Sequence, residues 1–318
     1  MNVEPANPSA LAVEVSGLFH NYGNRTALSG LTFSVGRGEI FGLLGPNGGG
    51  KTTTFRILST LIRPQRGSIR IFGFDVATQP QEVRRRIGVV FQSPSLDKKL
   101  TAYENLMHQG HLYGLQGAEL DRRIRMLLER VKLADRANEY VETFSGGMRR
   151  RVELAKGLIH GPQLLLLDEP STGLDPGARR DLWQHLEQLS RDEGVTSLLT
   201  THYMEEAAHC TRLGIVNKGE LVALDTPARL RETIGGDVVT IQARDPDAVK
   251  EAVNSKLNLN AAIVDGSVRI ERENGPELIG TLGQLLAGQI EAMTISKPTL
   301  EDVFIRRTGH KFWVEEKE

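Results

Sequence analysis

Short apolar and β-branched runs, each closed off by Gly, Asn, Pro or Ser, fill the first part of the chain and predict strands at 11–15, 31–35 and 69–72. Between the second and third of these, residues 40–44 are apolar throughout and pass directly into a cluster of glycines. Beyond the glycines, Phe55, Leu58, Leu61 and Ile62 recur at helical spacing, so strand, glycine turn and helix follow one another without a break. From Thr101 the pattern becomes helical. Thr101 and Glu104 stand in a capping-box arrangement, and Leu120, Ile124, Leu127, Leu128 and Val131 make one apolar face. Residues from about 93 to 160 therefore read as an all-helical insert. Continuous apolar or β-branched runs return at 164–167 and 196–200, as expected of parallel strands buried on both faces.

The rhythm changes at Ile234-Gly235-Gly236-Asp237, where a domain boundary is expected, giving units at 1–234 and 235–318. In the second unit, strands are predicted at 238–243 and 267–271 and helices at 247–257 and 276–286. A last helix starts at Pro298-Thr299, with Leu300, Val303 and Phe304 on one face. This unit reads as a small α+β domain.

Bulk properties narrow the field. With 39 Lys and Arg against 40 Asp and Glu, the surface has no net field to hold a polyanion, so no nucleic-acid partner is expected. The segment from Met1 to Ala10 lacks a charged and apolar leader pattern, and no apolar run approaches the roughly 20 residues needed to cross a bilayer. Any membrane role must then come through another chain. The lone Cys210 cannot form an internal disulfide and reads as packing.

Gly45-Pro46-Asn47-Gly48-Gly49-Gly50-Lys51-Thr52 fits the pattern G-x-x-x-x-G-K-[ST] in the strand–turn–helix context that pattern requires, with Thr53 continuing the helix. Glycines let the backbone wrap a phosphate without Cβ clashes, and the N–H groups at the helix start point at the anion. Lys51 supplies charge for β- and γ-phosphates, and Thr52 a hydroxyl for Mg²⁺. The apolar run 164–167 ends in Asp168 and Glu169, placed where ligands bind open α/β sheets. Asp168 is expected to hold Mg²⁺, directly or through water, and Glu169 to accept the proton of an attacking water.

Between these motifs, Phe144-Ser145-Gly146-Gly147-Met148 precedes a helix. Here the chain resembles the nucleotide-binding subunits of ATP-binding cassette (ABC) transporters, whose signature reads Leu-Ser-Gly-Gly-Gln. The resemblance covers about the first three quarters of the chain. It implies an α/β P-loop NTPase fold with an antiparallel β-subdomain and a helical subdomain, followed here by the small C-terminal α+β domain. By the same resemblance, Tyr22 stacks on adenine and Gln92 senses Mg²⁺ and the membrane partner. Asp175, in Gly173-Leu174-Asp175, lies on a loop crossing between subunits, and His202 contacts the γ-phosphate. In that family two domains face each other head to tail around two ATP molecules, so Ser145, Gly146 and Gly147 would act on the partner's nucleotide.

Some positions depart from the family pattern. Gly49 stands where alanine is usual, Met148 where glutamine is commonest, and Phe144 where leucine is; none removes a catalytic group. The Gly146–Arg151 stretch, the 167–176 run and the ending Thr299-Leu-Glu-Asp-Val-Phe-Ile305 are similar to drug-resistance exporter ATPases, daunorubicin efflux among them. That group implies a hydrolysing homodimer, peripheral on the cytoplasmic face of the cell membrane, paired with a separate multi-span permease. A soluble cassette ATPase acting on nucleic acid or ribosomes is the alternative, and a binder that holds ATP without turnover is a third. Two further features, His108 with His111 and the basic run 84–86, read as solvated helix faces.

Overall fold

The computed structural model describes residues 11–310 and 312; Met1 to Ala10, read above for a leader pattern, lie outside the described residues. Two compact units divide after Leu221.

In the first unit, β1 (Leu11–Tyr22) and β2 (Arg25–Gly36) pair as a long antiparallel ribbon. They are followed by β3 (Ile40–Leu44), α1 (Lys51–Leu58), β4 (Arg66–Ile71), β5 (Phe74–Asp75), α2 (Pro80–Arg84) and β6 (Ile87–Val90). β2, β1, β4 and β5, in that order, form an antiparallel sheet, the β-subdomain implied by the resemblance. The helices α3 (Ala102–Leu112), α4 (Gly117–Arg130) and α5 (Gly146–Leu158) build the helical insert. The Thr101 hydroxyl and Glu104 carboxylate cap α3 reciprocally, as expected. Leu120, Ile124, Leu127 and Leu128 of α4 are buried, with Val131 just beyond its end.

The chain then runs through β7 (Leu164–Asp168), α6 (Pro176–Glu193), β8 (Thr196–Thr201), α7 (Met204–Ala207), β9 (Arg212–Asn217) and β10 (Glu220–Asp225). The main sheet has the order β10-β9-β3-β8-β7-β6. β3 sits between β8 and β9, parallel to both, and β7 lies parallel between β6 and β8. Every residue of β3, β7 and β8 is buried, which explains why these strands run as mostly apolar or β-branched residues rather than alternating, with Asp168 and Ser197 the charged and polar exceptions. The strand order places the C-terminal ends of β3, β7 and β8 side by side, so the glycine loop and the paired acids meet there.

One helix is shorter than its apolar spacing predicts. α1 stops at Leu58, because Thr60 takes a left-handed φ of 63° and the Leu61 and Ile62 N–H groups both fold back to the Arg56 carbonyl. Leu61 is 58% exposed and does not join the core.

The second unit holds α8 (Pro227–Glu232), β11 (Asp237–Ala243), α9 (Pro246–Leu257), β12 (Ala261–Val264), β13 (Ser267–Arg272), α10 (Gly275–Leu285), β14 (Ile290–Ser296) and α11 (Leu300–Thr308). Its antiparallel sheet has the order β12-β13-β11-β14, and Val239, Ile241, Val268 and Ile270 pack with Val249, Val253, Leu278 and Leu282 from α9 and α10. The boundary expected at 234/235 thus falls inside this unit. The reason is local: α8 packs on α11, and Arg306 donates to the Thr233 carbonyl, so the residues before Gly235 belong with those after it.

Asp302 has two tasks in this unit. It completes the capping box of α11 with Thr299, and at 2.7 Å it pairs with the buried guanidinium of Arg269. Replacing it by alanine leaves the buried guanidinium only Glu271, at 3.6 Å, and uncaps the helix, so a loss of about 2–4 kcal/mol is expected, read as a lowered urea midpoint. Asp302→Asn keeps an acceptor for the cap and should cost less.

Candidate nucleotide site

The loop after β3 is shaped by what cannot fit there. A Cβ on Gly45 would lie 2.4 Å from the Val216 carbonyl oxygen, too close for any side chain. Gly50 has φ of 108°, and a Cβ there would come within 2.9 Å of the Ala27 carbonyl oxygen. Gly50 is also the N-cap of α1, where no side chain caps the helix. The first residues of α1, Lys51, Thr52 and Thr53, line a cavity of about 350 Å³ together with Asn47, Gly48, Tyr22, Arg25, Arg56 and Glu169. A helix start without a side-chain cap, opening on such a cavity, is an anion site by geometry and by dipole.

Lys51 is buried, and its Nζ donates to the carbonyls of Gly45 at 2.6 Å and Pro46 at 2.9 Å. These bonds hold the ammonium beneath the loop. Burial lowers its pKa, while the nearby Glu169 and Asp168 carboxylates act the other way. Pro46 also accepts from the Gly49 N–H at 3.1 Å, and Gly49 in turn accepts from Gly219 at 3.0 Å, so the loop has a fixed shape.

The acids emerge at the end of β7. Asp168 is buried and accepts a 2.6 Å hydrogen bond from the Thr200 hydroxyl on β8; burial is the main cause that pushes its pKa up. Glu169 leaves the strand with φ of 43°, a left-handed conformation that costs a non-glycine residue of order 1 kcal/mol. Its N–H donates to the Thr200 hydroxyl at 3.0 Å and to the Thr200 carbonyl at 3.2 Å, which hold the turn. Its carboxylate accepts from Gln92 Nε2 at 3.0 Å, and its other oxygen lies 2.9 Å from His202 Nδ1. Residues 77 and 33 positions away in sequence therefore converge on one carboxylate beside the Lys51 cavity.

The predicted residues of the signature and of the loop at Asp175 lie elsewhere. Ser145, Gly147 and Asp175 line a different cleft of about 440 Å³ with Met148, Arg151 and Asp181. Ser145 caps α5, and the Asp175 carboxylate caps α6 through the Gly177 and Ala178 N–H groups. Within one chain, therefore, these residues and Lys51 do not share a cavity. Tyr22 is 44% exposed at the edge of the phosphate cavity, in edge contact with His20. His108 and His111 have ring centroids 6.4 Å apart, and among the described residues no group of three or more His, Cys, Asp or Glu is placed to hold a metal.

Sequence reasoning passed over several residues of the site. Arg25 and Arg56 line the cavity and add positive charge where an anion would sit. Glu206 of α7 is buried, with a pKa raised by burial, and accepts from the hydroxyls of Ser171 and of Thr201, the latter at 2.7 Å. It thereby joins the segment after Glu169 to the strand end before His202. Arg25, Arg56 and Glu206 lie within five residues of Tyr22, Lys51 and His202 in sequence, and that closeness is the signal that could have found them.

Thr52, which lines the cavity, Gln92, which donates to Glu169, and Asp168, at the end of β7, offer a hydroxyl, an amide oxygen and a carboxylate, hard oxygen donors of the kind Mg²⁺ takes when phosphates complete its shell.

Parallel strands with a glycine-rich phosphate cradle at the end of β3 and paired acids at the end of β7, with β8 between the two, define a P-loop nucleotide-binding protein. The family profile described as ABC transporter matches residues 28–172. The chain is 40% identical to the daunorubicin resistance ATP-binding protein DrrA2 of Streptomyces coeruleorubidus, over 94% of this chain and 96% of that one. It is 38% identical to the Nod factor export ATP-binding protein I of Bradyrhizobium diazoefficiens, over 96% of this chain and 99% of that one. Among solved structures it is similar to a dimeric ATP-binding cassette in a post-hydrolysis state with ADP and Pi, with a TM-score of 0.60 and 28% identity, covering 67% of this chain and 98% of that one. The chain belongs to the ABC transporter family, among its ATP-binding subunits. Among the described residues no helix is long and apolar enough to cross a membrane.

Proposed function

We propose that this chain hydrolyses MgATP as a homodimer and powers a separate permease that exports drugs or other amphipathic cargo. The observation that carries the reading is the Glu169 carboxylate, held between Gln92 and His202 at the mouth of the Lys51 cavity. A residue retired from chemistry needs neither partner. Lys51 and the loop N–H groups bind the phosphates, Tyr22 offers its ring to the base, and Glu169 takes the proton of the attacking water. His202 orients that carboxylate and reaches toward the γ-phosphate. Mg²⁺, held by Thr52, Asp168 and Gln92, would neutralise charge developing on the phosphate oxygens.

The separate cleft around Ser145, Gly147 and Asp175 supports a head-to-tail pair, in which one chain's signature completes its partner's site. Both relatives named above are ATP-binding proteins of resistance or export, which supports the exporter reading and a place on the cytoplasmic face of the membrane. For the second unit we infer a contact that stabilises the pair or the permease complex. Phosphate release by the purified chain, stimulated when its permease is added, tests the whole reading; a chain that binds nucleic acid in a salt-sensitive way and ignores the permease would overturn the exporter part.

The raised pKa of Asp168 sets a pH dependence. Protons compete with Mg²⁺ for this carboxylate, so the magnesium-dependent part of ATP affinity should weaken as pH falls from neutral into the raised carboxylate range. Asp168→Asn should flatten that slope in a titration of ATP with and without Mg²⁺. A slope unchanged by the substitution would assign the dependence to another group.

A further inference from the structure

Three consecutive arginines follow Gly146-Gly147-Met148 in α5, and their side chains diverge to different neighbours. Arg149 donates to the carbonyls of Val141 at 3.2 Å and Glu142 at 2.7 Å, and Arg151 pairs with Asp181 at 2.7 Å. Arg150 turns inward, its side chain only 8% exposed. Its Nε donates to the Pro170 carbonyl at 2.7 Å, and its Nη1 to the Phe91 carbonyl at 2.7 Å and to Glu153 at 2.9 Å. Its Nη2 reaches the carbonyls of Asp168 at 3.3 Å and Glu169 at 3.5 Å.

Burying a guanidinium is costly, and an apolar side chain would fill the same space. What an apolar side chain cannot do is hold the carbonyls of residues 168–170, the turn in which Glu169 takes its left-handed φ, together with the carbonyl just before Gln92. The other side of the Gln92 segment is anchored to the same helix. Ser95 donates its N–H to Glu153 at 2.7 Å and accepts from Lys156 Nζ at 2.6 Å. α5 thus grips the backbone on both sides of Gln92 and beneath Glu169, while its own N-terminus carries Ser145, Gly146 and Gly147.

We propose that Arg150 is a positioning residue for hydrolysis, tying the helix that begins at Ser145 to the Gln92 and Glu169 backbone of the same chain, so that a shift of that helix resets the catalytic carboxylate. This rests on the ATPase reading above. The fork geometry is essential to it: a lysine keeps the charge but, as a point donor on a flexible stem, cannot span carbonyls on two segments at once. The carboxylate would then drift from the attacking water, and a misplacement of about 1 Å costs on the order of a hundredfold in rate.

The test compares wild type, Arg150→Lys and Lys156→Met as purified full chains, measuring ATP affinity by direct binding and kcat and KM by phosphate release. Arg150→Lys should keep ATP affinity within about threefold while kcat falls at least about tenfold. Lys156→Met, which removes the bond to the Ser95 carbonyl and leaves the Ser95 N–H on Glu153, should lower kcat in the same direction by a smaller factor. If Arg150→Lys turns over like wild type, or if ATP affinity and folding fall together while kcat per folded chain persists, the residue is structural and the proposal is overturned. A wild-type chain without turnover would remove the ATPase reading and this inference with it, whereas a wild type that turns over beside an undiminished Arg150→Lys removes this inference alone.

Discussion

Glu169→Gln is expected to lower phosphate release by about 10²–10⁴-fold, the usual contribution of a positioned general base, while ATP affinity stays within a few-fold. The substitution is isosteric, so the Thr200 contacts that hold the backbone turn survive. What is lost is the capacity to take a proton from water beside the cavity. The amide can still accept from Gln92, but it has no charge to orient His202 at the 2.9 Å contact. Because ATP binds and is not consumed, the closed pair should persist, and size-exclusion chromatography with ATP should show a dimer that wild type passes through only briefly. Wild-type turnover in this variant would refute the role assigned to Glu169.

Lys51→Ala is expected to act on binding instead. A charge-assisted contact to phosphate is worth about 1.5–3 kcal/mol, or roughly ten- to a hundredfold in affinity, and the loss should reach the upper end. The Gly45 and Pro46 carbonyls would also lose their donor, which loosens the loop that presents the N–H groups. Folding should not suffer in proportion, since burial already disfavours the charged form of this lysine. The thermal midpoint without nucleotide should stay near that of wild type, while the upward shift given by MgATP disappears.

The two effects separate because the two residues belong to different parts of the sheet, and that division was legible in the sequence. Continuous apolar strands meant a parallel sheet buried on both faces, which forces loop function to the strand ends. The glycine pattern and the paired acids were local signals, complete within a few residues. Gln92 and His202 could be placed only through the family resemblance, because nothing in their own neighbourhoods says that they meet at Glu169.

Other features were hidden for physical reasons. β14 was missed because most of its residues are exposed on both faces, so its apolar positions do not alternate. β6 is 4 residues long and contains a glycine, which reads as a turn. The end of α1 depends on Thr60 entering the left-handed region, against the apolar spacing that runs on to Ile62. Arg150 is the middle of three consecutive arginines, and only its packing distinguishes it from Arg149 and Arg151. Glu206, which follows Glu205 in the first turn of α7, is a buried acceptor for two hydroxyls, and nothing in its own type sets it apart from that exposed neighbour.

The most direct test is a titration of the purified chain with ATP, with and without Mg²⁺, followed by phosphate release in the same samples. The account predicts affinity that needs magnesium, slow phosphate release from the bound nucleotide, and loss of both when Lys51 is replaced by alanine. A chain with no magnesium-dependent affinity for ATP, or one in which Lys51→Ala changes nothing, would contradict it.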